Sequence, residues 1–302
     1  MKYDENNKAK KRKNTILLLT LILVPLSLFI GIAASAIGFT AWPLIVPVLF
    51  ILCGFDLYLT LFSSLLVDCG NALVMTVIAT KHGQINIRRG LLLAFFALVW
   101  IAGGIFLGKT FIPGNQEFFK GSAGIITVII GILFIIKGIK NKPPRGSKPK
   151  SINEPLTGDS PVDVVKKKVG FRRFLIYAGV ALMAFQIGFF GIGGGMGYAI
   201  SLMLFLSYPV LKATGTAMLI TFCSTLFAAC WFFFLIPESA FLQLHVQWLI
   251  PMMVGLSMFG TIIGAEITYS LTERQINFLI GSVVVFAGVL ATAQKLIIQM
   301  IY

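Results

Sequence analysis

Five glycines in seven residues, Gly191-Ile192-Gly193-Gly194-Gly195-Met196-Gly197, are the densest chemical signal in the sequence. Glycine lets a chain leave helical geometry and brings backbone N–H groups close to a ligand. A half-helix that starts there aims unpaired donors and its positive dipole end at an anion. Gly193, Gly194 and Gly195 are therefore candidate substrate-binding residues. The same glycines satisfy GxxxG twice, at Gly191/Gly195 and Gly193/Gly197, so close helix packing is the competing reading. Downstream, Lys212-Ala213-Thr214-Gly215-Thr216 opens another apolar run. Thr214, Gly215 and Thr216 offer small and hydroxyl-bearing positions for the opposite wall of a pocket. Lys212 offers a cation near the membrane, or simply a side chain snorkelling at a helix end. Gln186, just before the glycine cluster, offers its amide N–H to an anion or to a neighbouring helix.

Ionisable groups inside apolar stretches are the second signal. Asp68 lies in the middle of the run 57–79 with Asn71 about one turn on, and Glu266 lies in the last turns of the run 247–270. Charge at membrane depth is costly and marks functional candidates. Asp68, with Asn71, is a candidate proton-coupling carboxylate. A neutral Asp68 bonded to a neighbouring helix, and a Glu266 that reaches the interface, are the structural alternatives. His82 and His245 fall between apolar runs and read as surface residues. Cys53, Cys69, Cys223 and Cys230 all sit inside apolar runs, where free thiols behave as small hydrophobes. No CxxC or Cys/His metal spacing exists, so no disulfide framework, metal site or cofactor is expected. No HExxH, nucleophile elbow or P-loop occurs, which points away from an enzyme and from an ATP-driven pump.

The composition says what must hold these groups. Of 302 residues, 57% are hydrophobic and 12% charged, and the mean hydropathy is +0.92. Soluble domains carry roughly 25% charged residues, because a helix in water needs a polar face. Apolar runs lie near 15–37, 41–53, 57–79, 89–109, 120–140, 173–190, 194–207, 211–235, 247–270 and 276–298. Crossing a bilayer takes about 20 apolar residues with every backbone group bonded internally. Most of the runs meet that length, and 173–190 is marginal. Those at 41–53 and 194–207 are too short and predict half-helices or re-entrant segments. The fold class is an all-α integral membrane protein. The run 15–37 is longer than the apolar core of a signal peptide and is followed by more spans, so it reads as an uncleaved first helix.

Net charge is +14, but its placement argues against nucleic acid as a partner. Six of the 25 Lys/Arg lie in residues 1–14 and eleven in residues 137–173, all flanking apolar runs. The positive-inside rule puts both segments in the cytoplasm, where they would meet anionic lipid headgroups. The stretch 141–172, with Pro143, Pro144, Pro149, Pro155 and Pro161, reads as a cytoplasmic linker between residues 15–140 and 173–302. Four crossings in the first half, at 15–37, 57–79, 89–109 and 120–140, would satisfy this and put Lys81, Arg88 and Arg89 inside. Five crossings per half is the alternative. A cell-membrane location follows, and a homo-oligomer remains open.

The two halves also match each other weakly, at an offset near 155–157. Ile37-Gly38 aligns with Ile192-Gly193, and Gly104-x-x-x-Gly108 with Gly260-x-x-x-Gly264. Gly124 and Gly131 align with Gly281 and Gly288. The expected plan is two repeated halves of about four transmembrane helices each, with a broken half-helix early in each. Duplicated halves with paired breaks are a common plan for carriers, and the breaks point to the substrate site. This adds Gly38 and Thr40, from Gly38-Phe39-Thr40-Ala41-Trp42-Pro43, to the candidate binding residues.

The stretch G-I-G-G-G-M-G, followed by K-A-T-G-T-A, resembles the signature of the TauE/SafE sulfite exporter family of permeases. The resemblance covers about 30–140 and 175–298. It implies a secondary carrier of sulfur-containing anions such as sulfite, sulfoacetate or other sulfonates, built on a duplicated four-plus-four plan. The first-half cluster has one glycine where the family has several, and Ala217 stands where a serine is usual. The expected partner is thus a small anion moved by alternating access and held by backbone N–H groups. A proton- or cation-coupled carrier of another solute, centred on Asp68 and Glu266, is the alternative.

Overall fold

In a computed structural model of the chain, the described residues are 23–32, 34–35, 40–47, 49, 55–111, 132, 136, 169–238, 246–270, 275, 282 and 285. The runs at 120–140 and 276–298 fall almost wholly outside them, as do Gly38, His245 and residues 1–22 and 141–168.

The described elements are helical. They are α1 (Leu23–Ile32), α2 (Trp42–Pro47), α3 (Leu57–Lys81), α4 (Ile87–Phe111), α5 (Val169–Phe190), α6 (Gly195–Leu206), α7 (Val210–Phe233) and α8 (Val246–Ser270). Four segments are long and apolar enough to cross a membrane: Leu57–Lys81, Ile87–Phe111, Val210–Phe233 and Trp248–Ile267. The two runs too short to cross form the short helices α2 and α6, as their lengths predict. Asp56 caps α3, accepting from Tyr58 N at 2.8 Å and Leu59 N at 3.3 Å. Beyond α3, Gly83 takes the left-handed φ of 66° that tightens the turn into α4.

These helices carry many hydroxyls. Thr76, Thr80, Ser201, Thr216, Thr221 and Thr225 return their protons to the carbonyl four residues back, at 2.7–2.9 Å. A hydroxyl satisfied by its own helix costs little in hydrocarbon. Large apolar side chains such as Phe95 (71% exposed), Val99 (71%) and Phe106 (76%) line one side of α4. In water that face would be an aggregation hazard; against lipid tails it is the expected outer surface.

Small residues set the crossings. A Cβ on Gly104 of α4 would collide with the Phe185 carbonyl of α5, and one on Gly188 of α5 with the Ile101 carbonyl of α4. A Cβ on Gly260 of α8 would strike the Leu28 carbonyl of α1, and one on Gly31 the Ser257 carbonyl of α8. Such backbone-to-backbone contact is what glycine permits between membrane helices.

The contacts also give the helix directions. Gly31 faces Ser257 and Thr261, Gly260 faces Leu28, and Gly264 faces Ile32 and Ser35, so α1 and α8 run parallel. Gly70 faces Val254 and Met258, Asn71 bonds Ser257 and Thr261, and Ala72 and Met75 cluster with Ala265, so α3 runs with them. Phe96 meets Tyr177 and Gly104 meets Gly188, so α4 and α5 run together. Tyr58 meets Phe232 while Ala79 and Gln84 meet Gly215, so α3 and α7 are antiparallel. Met183 faces Gly197 and Gly179 faces Ser201, so α5 and α6 form a hairpin.

Thus α1, α3 and α8 run one way, and α4, α5 and α7 the other. The four-crossing plan set α1 against α3; among the described helices the two run parallel. The glycine contacts lock α1 alongside α8. Among the described helices, α1 therefore runs opposite to α5.

Candidate functional site

The two breaks meet inside the bundle. Asp68 is 4% exposed and Asn71 2% exposed, on the inner face of α3. The Asp68 carboxylate accepts from Ala41 N at 2.6 Å and from the Thr40 hydroxyl at 2.7 Å. Thr40 Oγ1 in turn accepts from Gly193 N at 3.1 Å and Trp42 N at 3.3 Å. One threonine therefore joins the first break, the second break and α3. Gly193 must be glycine, because a Cβ there would run into the Asp68 carboxylate and the Thr40 hydroxyl. Gly191 needs its freedom for another reason: its φ is 67°, where the chain leaves α5.

A small cavity lies beside this junction, lined by Ala34, Thr40, Asp68, Asn71, Ala72, Gly193, Gly195, Met218 and Thr221. It has room for about one water molecule. Asp68 and Thr221 are each the twelfth residue of their helix, counting from Leu57 and Val210, so the cavity lies near the middle of both spans.

The donors around it are unequal. At the first break, the Ala41 and Trp42 N–H groups are taken by Asp68 and Thr40. At the second, α6 begins after Gly194 with no side-chain cap. The first N–H groups of a helix have no acceptor within it. Asn71 adds a side-chain donor. Its Oδ1 accepts from Ser257 Oγ at 2.7 Å and Thr261 Oγ1 at 3.0 Å, tying α3 to α8. Its Nδ2 is buried and without a partner among the described residues. A buried amide N–H left unpaired costs free energy until something accepts it.

The other sequence candidates lie elsewhere. Thr214, Gly215 and Thr216 are buried against the turn between α3 and α4. Thr216 Oγ1 accepts from Asn86 N at 3.1 Å, and a Cβ on Gly215 would strike the Gln84 carbonyl. Lys212 sits at the same end with its Nζ 5.6 Å from the centre of the Tyr208 ring. The Tyr208 hydroxyl accepts from Arg89 Nη1 at 3.1 Å and Asn86 Nδ2 at 3.2 Å. Gln186 is half-buried on α5, Gly194 packs against Ile187 and Tyr198, and Glu266 is exposed on α8; none of the three lines the cavity. Among the described residues no His/Cys/Asp/Glu group has metal-binding geometry. Sequence reasoning missed Thr221, Ser257 and Thr261. Each is one hydroxyl in an apolar run, and only the fold shows which of these lie at the cavity or beside Asn71.

The profile of the family described as "Sulfite exporter TauE/SafE" matches residues 23–291. The chain is 26% identical over 282 residues to the "Probable membrane transporter protein YunE" of Bacillus subtilis (strain 168), covering 88% of this chain and 95% of that one. No solved structure matches. Apolar helices, paired breaks closing on a buried cavity and a family match over most of the length agree: the chain is a membrane transporter, not an enzyme, and belongs to the TauE/SafE sulfite exporter family.

Proposed function

We propose that this protein is a secondary carrier of small sulfur-containing anions, oxyanions or organosulfonates, moved by alternating access. The observation that carries the reading is the cavity between the two breaks, whose lining includes Gly195 at the uncapped start of α6 and Asn71, whose Nδ2 has no partner among the described residues. Backbone and amide donors around a buried site are what a small anion requires. The family and its printed substrate, sulfite, support the same class.

The architecture supports alternating access. Counting 195 minus 42 and 210 minus 57, the short helix and the following span recur 153 residues apart in both cases. Matched helices run in opposite directions. An inverted repeat of this kind lets the two halves exchange shapes, so that one site faces each side in turn. The cavity is too small for an oxyanion as it stands, so opening means separating the two break tips. The α3–α4 turn, the start of α7 and the start of α5 share one end of the bundle. Lys81, Arg88, Arg89, Arg172, Arg173 and Lys212 lie there, and the positive-inside rule assigns that end to the cytoplasm of a cell membrane.

The test is an uptake screen in proteoliposomes with sulfite, thiosulfate, sulfoacetate, taurine and sulfate. The expected outcome is protein-dependent exchange of at least one sulfur anion and none of sodium or potassium. Flux of cations without any anion would reject the assignment.

A further inference from the structure

Asp68 is an uncompensated carboxylate in the wall of a cavity read here as an anion seat. The groups facing it are Thr40 and Ala41 from the first break, Gly193 from the second, Asn71 on α3 and Thr221 on α7. Thiols lie close by: Cys69 on its own helix, which has Asp68 and the Cys223 and Cys230 of α7 as neighbours. From α6, Tyr198 turns its hydroxyl to Ser224 of α7, 3.3 Å away. From α8, the groups facing α3 here are Ser257 and Thr261. Among the described residues no Lys, Arg or His lines the cavity.

An anion brought into that cavity meets a second negative charge in a medium of low dielectric, where like charges repel strongly. The hydrogen bonds offer a way out. With Asp68 ionised, the Thr40 proton is held by Asp68 Oδ2, and Thr40 Oγ1 holds the Gly193 N–H. A proton on Oδ2 reverses the first bond: Asp68 now donates to Thr40 Oγ1. A hydroxyl oxygen has two lone pairs, and Thr40 Oγ1 already accepts from Gly193 and Trp42. The added donor displaces one of them, and the Thr40 hydrogen is freed to turn into the cavity. Protonation thus removes the opposing charge, loosens the link between the break tips and presents another donor to the anion.

We propose that the carrier moves its anion together with one proton carried on Asp68, and that the Thr40 hydroxyl links that proton to the seat at the start of α6. The proton is taken from water on the loading side and returned to water on the other. The inference rests on the anion-carrier reading, and the experiment separates the two. Purified protein is reconstituted with the pH dye pyranine inside, the membrane voltage clamped with potassium and valinomycin, and labelled thiosulfate or sulfoacetate added outside. Both probes stay fully ionised near neutral pH.

The expected result is anion entry accompanied by acidification of the lumen. Anion entry without acidification overturns the proton proposal and leaves the carrier reading standing. No entry of any of the five screened anions removes both. In Asp68→Asn, whatever flux persists is expected to acidify nothing; continued acidification overturns the role of Asp68. Should Asp68→Asn carry no flux, Thr40→Val decides. Fewer protons per anion than in the unaltered protein support the link, and an unchanged ratio overturns it.

Discussion

The two breaks of this chain occupy matching places and are finished in opposite ways. At the first, Asp68 reaches across from α3 and fills the donor end of the short helix α2, holding Ala41 N at 2.6 Å and the Thr40 hydroxyl at 2.7 Å. At the second, the matching residue of α7 is Thr221, whose hydroxyl turns back to Ala217 O at 2.9 Å on its own helix. The start of α6 is left without a side-chain cap. One end of the pair carries its own carboxylate, and the other has no side-chain cap. Two similar breaks therefore need not be finished alike. A carboxylate beside one of them fills its donors, and under the proposed function the other is the seat.

The largest effect should come from erasing that difference. Thr221→Asp places a carboxylate where α7 faces the second break, and it should occupy the donors at the start of α6. Anion flux is expected to fall by about 100-fold or more, the scale of losing several charge-assisted hydrogen bonds, while the protein still inserts and purifies. Radiotracer uptake and size-exclusion chromatography check the two halves of that expectation.

Gly193→Val comes next. Its side chain would enter the space held by Asp68 and Thr40 and force the break tips apart. A displacement of about 1 Å at a binding site costs on the order of 100-fold in rate, so uptake should drop by tens to hundreds of fold. Gly194→Leu should also lower flux, through Ile187 and Tyr198 rather than through the junction. If Gly193→Val transports normally, the junction is packing and nothing more.

Asn71→Leu sharpens the account of the open side. It removes the unpaired Nδ2 and also the acceptor of Ser257 and Thr261. A roughly tenfold rise in KM for the anion is expected, with stability lower by about 1–3 kcal/mol for the Ser257 hydroxyl left without its acceptor. The smallest effect belongs to Thr216→Val. It breaks the bond from Asn86 N at 3.1 Å, remote from the cavity, and should cost about 1 kcal/mol in thermal unfolding with flux near that of the unaltered protein. A large transport defect there would return the Lys212–Thr216 stretch to the site.

Much of this was legible in the sequence. Run length alone separated the spanning helices from the two short ones, because a bilayer fixes the length a helix needs. The glycine cluster marked the second break, and Asp68 stood out as a charge inside an apolar run. The partner of Asp68 was not legible. Thr40 is 28 residues away and Gly193 is 153 from Thr40, and only the crossing of α1, α3 and α5 brings them together. The sense of α1 was misread for a related reason. Basic residues at 1–14 and 137–173 argued for one side, whereas Gly31, Gly260 and Gly264 lock α1 beside α8 through backbone contacts that no charge count registers. Thr214–Thr216 was read as a pocket wall from its small and hydroxyl residues; these residues also suit close packing against a turn, which is where they lie.

The most direct measurement of the central claim is anomalous diffraction from crystals grown with selenite, an oxyanion of the same shape as sulfite with a strong scatterer at its centre. A selenium peak is expected within hydrogen-bond reach of the backbone N–H groups at the start of α6 and of Asn71 Nδ2. A peak beside Ala41, in the place of the Asp68 carboxylate, or beside Lys212 and Tyr208 with the cavity empty, would contradict it.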